Sequence, residues 1–174
     1  MTLLEYYNTP ETVLPRELVD GVMAVRDAPF VSHQRVVLKL AMELQAYTAR
    51  TGGEVIIAPV DVVLDERRPL VLQPDLLFLT AERQSLALDR VYGAPDVAIE
   101  VLSPRPRIGE IDQKIGWYAE YGVREIWLIN QVSRAAQVLE CEAGQVTTTR
   151  EVASAITSGV LPGFEASIAD LLGY

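Results

Sequence analysis

Pro95-Asp96-Val97-Ala98-Ile99-Glu100-Val101-Leu102-Ser103 is a stretch whose apolar run, Val97 to Leu102, is interrupted near its middle by a carboxylate, Glu100. Upstream, Val71-Leu72-Gln73-Pro74-Asp75-Leu76-Leu77-Phe78-Leu79 carries Asp75 in the same way. Short apolar runs of this kind are typical of buried strands. An ionised acid that leaves water without a partner costs several kcal/mol. The two stretches therefore predict a cation, a set of hydrogen-bond donors or a bound metal beside the acids.

Adjacent strands would bring the two carboxylates face to face. At about 4 Å and an effective dielectric constant of about 20, their repulsion would be worth roughly 4 kcal/mol. A divalent ion between them would replace this repulsion by attraction. We therefore look for function at this pair of acids.

The length and composition predict a single domain over residues 1–174. A chain of 174 residues with 49% hydrophobic and 22% charged residues can bury a full core. No apolar stretch approaches the roughly 20 residues of a membrane span. The first residues lack the basic start and the apolar segment of a signal peptide. We therefore expect a cytoplasmic protein without a membrane partner.

The net charge and the cysteine content limit which binding sites and metal sites the chain can form. The net charge of −9 argues against a non-specific nucleic-acid binder held by a general positive field, but it leaves room for a local basic cleft. The single cysteine, Cys141, excludes an internal disulfide and a cysteine-based zinc site. Lys39 and Lys114 are the only lysines, which makes the placement of Lys114 informative.

Turn signals and hydrophobic spacing predict an α/β or α+β fold with a mixed sheet. Strands dominate the centre of the chain, and helices lie before and after it. The predicted elements, in chain order, are a short helix within 11–19, a strand over 22–25 after the Asp20-Gly21 turn, a helix capped by Ser32 and ended by 51–53, a long strand over 55–64 interrupted by Pro59, the two acidic strands separated by a partly helical 80–93, a helix over 110–121 ended by Gly122, a strand over 125–129, a hairpin around Gly144, and a short helix over 168–172.

Strand alternation and helical spacing together predict that Lys114 is the cation that faces the acids. Alternation along the second acidic strand places Glu100 on the same face as Ala98 and Leu102. On the following helix, Lys114 shares an apolar stripe with Tyr118 at a spacing of four residues. A helix that folds back after a short loop would direct this lysine at Glu100.

The segment after the second acidic strand is predicted to be a rigid loop, because Pro104 and Pro106 exclude regular structure. Arg105 and Arg107 then lie at the edge of the cleft, where they either contact phosphate or only face solvent. Ser103 is expected to cap this loop or to bond backbone. It is not predicted as a nucleophile, because no Gly-x-Ser-x-Gly pattern surrounds it.

This ordered set resembles the PD-(D/E)XK nuclease superfamily, and most closely its Uma-type family of restriction endonucleases. The resemblance covers nearly the whole chain, and it implies a restriction-endonuclease-like core in which helices flank a mixed central sheet. The matching stretches are Glu17-Leu18-Val19-Asp20-Gly21, His33, Gln73-Pro74-Asp75, Ile99-Glu100-Val101-Leu102-Ser103-Pro104, Lys114 with Tyr118, Tyr121-Gly122-Val123-Arg124-Glu125-Ile126-Trp127, and Val160-Leu161-Pro162-Gly163-Phe164.

The resemblance implies a role for each motif position. Asp75 matches the metal-binding aspartate, Glu100 the second acidic ligand, and the backbone carbonyl of Val101 the third protein ligand. The superfamily lysine usually stands two residues after the second acid, where this chain has Leu102. Lys114 matches the lysine that the Uma-type pattern carries on the next helix.

Two further acids enter through the resemblance. Glu17 matches an acid that many superfamily members bring in from an amino-terminal helix, and it completes the implied catalytic set. Glu110 stands where aspartate is expected, with the same charge.

The implied activity is hydrolysis of phosphodiester bonds in DNA. Mg²⁺, for which Mn²⁺ can substitute, would activate water and neutralise phosphoryl oxygens, and Lys114 would orient the water or stabilise developing charge. The implied substrate contacts are His33, Ser103, Arg105 and Arg107. A homodimer is one assembly to consider, because it would allow both strands to be cut.

The residues also admit simpler interpretations. Asp75 could cap a turn after Pro74, and Glu100 could bond backbone amides or an arginine. Lys114 could lay its stem along Tyr118 with its ammonium group in water. His33 could be a structural histidine and Glu17 a surface residue. At the level of function, the alternatives are a catalytically inactive nuclease fold that binds nucleic acid or protein, and a metal-dependent hydrolase of a small phosphorylated molecule.

Overall fold

The computed structural model describes residues 1–10, 12, 14–104 and 108–173. Within them the chain forms four α-helices, thirteen strands and one 3₁₀ helix over Ala81–Leu86. The elements in chain order are α1 (Leu3–Tyr7), β1 (Arg16–Val19), β2 (Val22–Val25), α2 (Val31–Thr51), β3 (Glu54–Ile57), β4 (Val62–Asp65), β5 (Leu70–Leu72), β6 (Leu76–Leu79), β7 (Val91–Tyr92), β8 (Val97–Leu102), α3 (Ile108–Glu120), β9 (Glu125–Asn130), β10 (Ala135–Glu142), β11 (Gln145–Val152), β12 (Ala155–Thr157), β13 (Glu165–Ser167) and α4 (Ile168–Leu172).

A six-stranded mixed sheet forms the centre of the molecule, with the strand order β11-β10-β9-β8-β6-β3. The neighbours β8 and β9 are parallel, because α3 carries the chain back between them. The other neighbouring pairs are antiparallel. The predicted mixed sheet flanked by helices is therefore confirmed.

Both faces of this sheet are covered, which explains why every residue of β8 is buried. On one face, the helices α2 and α4 pack against Phe78, Ile99 and Trp127. On the other face, Tyr118 of α3 packs against Ala98 and against the second sheet. The alternation predicted for β8 holds, and Glu100 belongs to the face that α3 covers.

The second sheet has the strand order β2-β1-β5-β4-β7 and carries Glu17 on β1. Its β1–β2 hairpin turns at Asp20-Gly21, as predicted. Both turn residues have positive φ, 50° and 76°, which is the conformation that an Asp-Gly hairpin turn requires. The tight turn sets the register and pairs Glu17 with Ala24.

Three sequence predictions are wrong in detail. The helix predicted within 11–19 is the strand β1 over Arg16–Val19, because pairing with β2 and β5 outweighs local propensity; residues 11 and 13 lie outside the described residues. The strand predicted over 55–64 is two strands, β3 and β4, in different sheets, since Pro59 cannot donate to a ladder. Ser32 does not cap α2, whose N-cap is Phe30 without a side-chain hydrogen bond.

The remaining elements agree with their predictions to within a few residues. The helix α2 ends at Thr51 before Gly52, and α3 ends at Glu120. The strand β9, the β10–β11 hairpin and α4 lie where the pattern placed them. Among the described residues, no helix combines the length and the apolar composition that a membrane span requires.

Candidate active site

The antiparallel pairing of β6 with β8 brings the two acids together. Leu76 pairs with Ile99, so one further step along the ladder places Asp75 opposite Glu100. Oδ2 of Asp75 accepts a hydrogen bond of 2.7 Å from the backbone N–H of Val101. Asp75 immediately precedes β6, and its side chain contacts the backbone of β8. Its carboxylate therefore lies beside Val101, the residue that follows Glu100.

Glu100 is nearly inaccessible, with 8% of its surface exposed. Its Oε1 accepts hydrogen bonds from the Tyr118 hydroxyl at 2.8 Å and from Nζ of Lys114 at 2.6 Å. Within the described part of the chain, no hydrogen bond reaches its Oε2. Burial, partly offset by the charge of Lys114, raises the pKa of Glu100 to about 7, and the charges of Asp75 and Glu17 add to the rise.

Lys114 joins two acids from different sheets. Its Nζ lies 2.8 Å from Oε1 of Glu17 and 2.6 Å from Oε1 of Glu100, and it donates a 3.4 Å hydrogen bond to the carbonyl of Gln73. Burial alone would lower the pKa of Lys114, but Glu100 and Glu17 together raise it. The ammonium group therefore stays charged and buried. The alternative in which it extends into water does not describe this structure.

The pKa shifts of the pair oppose each other, because Lys114 gains stability as a cation while Glu100 loses stability as an anion. The number of neighbours accounts for this. Lys114 faces two carboxylates, whereas Glu100 faces one ammonium group and two further acids. The site is therefore richer in negative charge than its single lysine can balance.

Glu17 is buried on a strand, which corrects both the expected helix and the expected surface position. Four donors occupy its carboxylate. Oε1 faces Lys114 and accepts from the backbone N–H of Gln73 at 3.1 Å; Oε2 accepts from Nε and Nη2 of Arg26 at 3.1 and 2.7 Å. Burial would raise the pKa of Glu17, but Lys114 and Arg26 lower it. With both oxygens used, Glu17 holds Lys114 in position.

Arg26 is a further residue of the site, and no sequence motif predicted it. It clamps Glu17 from one side and pairs with Glu110 of α3 on the other. The register of the β1–β2 hairpin would have indicated this contact. The Asp-Gly turn pairs Glu17 with Ala24, and the diagonal neighbour on the same face is then residue 26. The hydrogen bond from Tyr118 to Glu100 was also not predicted, although the helical stripe contained that tyrosine.

His33 contacts the first acid from α2. Its Nε2 lies 3.1 Å from Oδ1 of Asp75. Burial would lower the pKa of His33, but the hydrogen bond and charge of Asp75, a hydrogen bond to the backbone of Val101 and the charge of Glu100 raise it. His33 therefore lies beside two of the three predicted ligands, Asp75 and Val101.

These groups line one cleft of about 880 Å³. The cleft contains every described residue that was predicted for the site: Glu17, His33, Asp75, Glu100, Val101, Ser103 and Lys114. Ser103 is exposed at its edge. Arg105 and Arg107, predicted as substrate contacts, lie outside the described residues.

The donor set fits a hard divalent cation. Among the described residues there is no cluster of three or more His, Cys, Asp or Glu side chains arranged to hold a metal. The cleft offers two carboxylates, of Asp75 and Glu100, and the carbonyl of Val101. Mg²⁺ binds through one or two carboxylates and completes its shell with water and phosphate oxygens, so this smaller set suits it. From the part of the chain that the structure describes, no donor competes for Oε2 of Glu100, whereas His33 contacts Asp75 and the Val101 backbone.

The metal-free protein is expected to lose stability between about pH 5 and pH 8. A carboxyl group whose pKa rises from 4.5 to about 7 on folding favours the folded state below pH 4.5, and this contribution is lost as the pH approaches 7. The change amounts to about 3 kcal/mol. The raised pKa of His33 acts in the same direction, because its contribution is present below pH 6.5 and is lost above its folded pKa. Urea unfolding at a series of pH values measures the slope.

The matched variant for this experiment is Glu100→Gln, which keeps the shape of the side chain but cannot titrate. It should remove most of the decline between pH 5 and pH 8. A parent protein whose free energy of unfolding is flat or rising over this range would contradict the raised pKa of Glu100.

Comparison with known proteins identifies the family and the fold of the chain. A sequence model described as "Uma2: Putative restriction endonuclease" matches residues 4–169. A solved structure titled as a putative nuclease belonging to DUF820, from Anabaena variabilis, superposes with a TM-score of 0.82 over 99% of this chain and 97% of its own. The two sequences are 18% identical, so the likeness shows the fold. None of the curated proteins matches the chain.

Proposed function

The chain belongs to the family described as "Uma2: Putative restriction endonuclease", and we propose that it is a Mg²⁺-dependent endonuclease that hydrolyses phosphodiester bonds in DNA. One observation carries the proposal. A buried lysine lies 2.6 Å from Glu100, in a cleft where a second acid, Asp75, stands opposite on the neighbouring strand. We further propose that residues 1–174 act as one catalytic domain in the cytoplasm, either alone or as a homodimer.

The proposed metal ligands are Asp75, Glu100 and the carbonyl of Val101. Mg²⁺ bound there would supply an activated water and would neutralise charge on the phosphate. The chain holds these oxygens before any substrate arrives, because β6 and β8 are paired and the Val101 N–H fixes the Asp75 carboxylate. Two acids that repel each other are a cost to an empty site, and a divalent cation would turn this arrangement into a binding site.

Lys114 is the proposed cationic group of the reaction. Glu17 and Glu100 hold its ammonium group at the base of the cleft, and Arg26 fixes Glu17 from behind. A cation kept in place before the reaction can stabilise negative charge that develops on a phosphoryl oxygen without reorganising. In this proposal Glu17 is a positioning residue, and the metal-ligand role falls to the other acids.

We propose that His33 and Ser103 contact the substrate from opposite edges of the cleft. His33 is held against Asp75, so a phosphate near the metal ligands would also come near its ring. Ser103 is exposed immediately after the acidic strand. Arg105 and Arg107 are proposed as phosphate contacts on sequence grounds alone.

Metal binding should raise the melting temperature of the parent protein. At a Mg²⁺ concentration of about 100 times its dissociation constant, binding adds about 2.7 kcal/mol to the free energy of unfolding. For a domain of this size, that corresponds to a rise of roughly 5–10 °C. The control is Glu100→Gln, which removes one charged ligand and should shift much less. An equal shift in both proteins, or none in the parent, would argue against the metal site.

A binding module without catalysis is the second candidate. It is favoured by the net charge of −9 and by the pairing of both described cleft cations, Lys114 and Arg26, with acids of the chain. Plasmid, single-stranded and branched DNA incubated with the protein and Mg²⁺ or Mn²⁺ separates the two functions. Metal-dependent cleavage supports the endonuclease, whereas metal binding without cleavage of any of these substrates supports the module.

A further inference from the structure

We propose that Phe30 is a stacking platform for an unpaired base next to the scissile phosphate, so that the enzyme acts on single-stranded or locally unpaired DNA in preference to intact duplex. This inference rests on the proposed function, because it assigns a substrate form to the same cleft. It is carried by three features of the described residues: an exposed aromatic ring, its place in the same cleft as the acids, and the charge of the cleft.

Phe30 is the exposed phenylalanine of the described chain. Its relative exposure is 63%, whereas Phe78 and Phe164 are 1% and 4% exposed. It lines the same cleft as the acids, together with four prolines, Pro15, Pro29, Pro59 and Pro104. A single exposed apolar residue is ordinary, but an aromatic ring among apolar side chains at the edge of a polar site is typical of a ligand-binding surface.

The ring shares its cleft with the proposed metal ligands. Phe30 is the N-cap of α2, with an extended backbone (φ −69°, ψ 157°), and His33 follows three residues later. Both residues line the cleft that contains Asp75 and Glu100, and His33 contacts Asp75 at 3.1 Å. A base stacked on this ring would belong to the nucleotide beside the phosphate at the acids.

The charge of the described part of the cleft gives little support for binding through phosphates alone. Duplex DNA carries one negative charge per roughly 1.7 Å, and tight binding by charge requires free cations. In the described part of the cleft, Lys114 and Arg26 are both paired with acids of the chain. The acids lining the cleft are Glu17, Asp27, Asp75, Glu100 and Glu110. Base stacking needs no positive charge, and it is available only to a base that has left the duplex.

The test compares three variants by DNA binding. Phe30→Ala removes the ring, and Phe30→Trp keeps a larger one. Leu38→Ala is the matched control, because Leu38 lies on the same helix with 62% exposure but does not line the cleft. Fluorescence anisotropy with a labelled 20-nucleotide single strand, and with a duplex of the same sequence, is measured in Ca²⁺ so that strands stay intact.

The expected result is a loss of about tenfold in single-strand affinity for Phe30→Ala, within the range for one stacked base. Leu38→Ala should change the affinity less than twofold. The parent should bind the single strand more tightly than the duplex. In Phe30→Trp, added strand should quench fluorescence beyond any change in the parent, whose tryptophans are Trp117 and Trp127.

Equal affinities for the parent and Phe30→Ala, tighter binding of the duplex, or absence of single-strand binding would each overturn the platform. Failure of the proposed function is a separate outcome. Phe30-dependent strand binding in Ca²⁺ without cleavage in Mg²⁺ would support the platform and reject the endonuclease. Cleavage of duplex DNA that is insensitive to Phe30→Ala would do the reverse.

Discussion

Asp75→Asn is expected to lower the rate of Mg²⁺-dependent DNA cleavage by at least about 10³-fold, since a metal contributes several kcal/mol to such a reaction. The substitution removes the negative charge and keeps the shape of the side chain. Asparagine also retains an oxygen that can accept the N–H of Val101, which the aspartate now accepts at 2.7 Å. The loss should therefore appear in activity and metal binding. The melting temperature of the metal-free protein should not fall, because the change also removes the repulsion between Asp75 and Glu100.

The control for this prediction is Asp112→Asn, the same change on the exposed side of α3. It should leave the cleavage rate within about twofold of the parent. Single-turnover cleavage of a labelled DNA measures both variants. A rate for Asp75→Asn within tenfold of the parent would exclude Asp75 as a metal ligand. A large fall in its metal-free melting temperature would show that Asp75 acts mainly through the fold.

Lys114→Met is expected to lower the free energy of unfolding by about 3–5 kcal/mol at pH 8, the usual cost of removing one partner of a buried ion pair. Methionine has a similar length, so packing changes little. The cost arises because Glu100 and Glu17 lose the ammonium group that both of them contact. Glu17 keeps Arg26, whereas the one donor left to Glu100 among the described residues is the Tyr118 hydroxyl. Glu100 therefore accounts for most of the loss.

The same variant should lose much less stability at pH 5, because Glu100, whose pKa is about 7 in the parent, is then protonated and needs no cation. Lys39→Met is the matched control at the only other lysine. The Lys39 ammonium donates to the carbonyls of Asp170 and Gly173 and contacts no acid in the described chain, so its loss should be smaller and should not depend on pH. Urea unfolding at pH 5 and pH 8 measures the loss in the free energy of unfolding for each of the two variants, relative to the parent. Equal losses for Lys114→Met at pH 5 and pH 8 would contradict the buried ion pair.

The periodicity of single strands and helices correctly predicted which faces of β8 and α3 are buried. Alternation assigned Glu100 to the face of β8 that α3 covers, and helical spacing placed Lys114 on the buried stripe of α3 with Tyr118. Both patterns depend only on the geometry of one strand or one helix, with repeats of 2 and 3.6 residues. The Asp-Gly turn and the ends of α2 and α3 belong to the same class, because each reflects the backbone preference of a few neighbouring residues.

Local sequence patterns mispredict the position of Glu17. Its neighbours in sequence favour a helix, and its charge favours the surface. In the fold, β1 is held between β2 and β5, and the buried carboxylate receives donors from Arg26, Gln73 and Lys114. No local pattern encodes these partners, because they come from three different elements.

Residue order alone indicates most of the buried strands and helices and which of them carry a charge into the interior, because a side chain's face follows from the repeat of its own element. The pairing of those charges depends on the folded arrangement, in which Asp75 lies opposite Glu100 and one lysine contacts acids from two sheets. Burial of a charge has to be compensated, but strand pairing and helix packing select the partner.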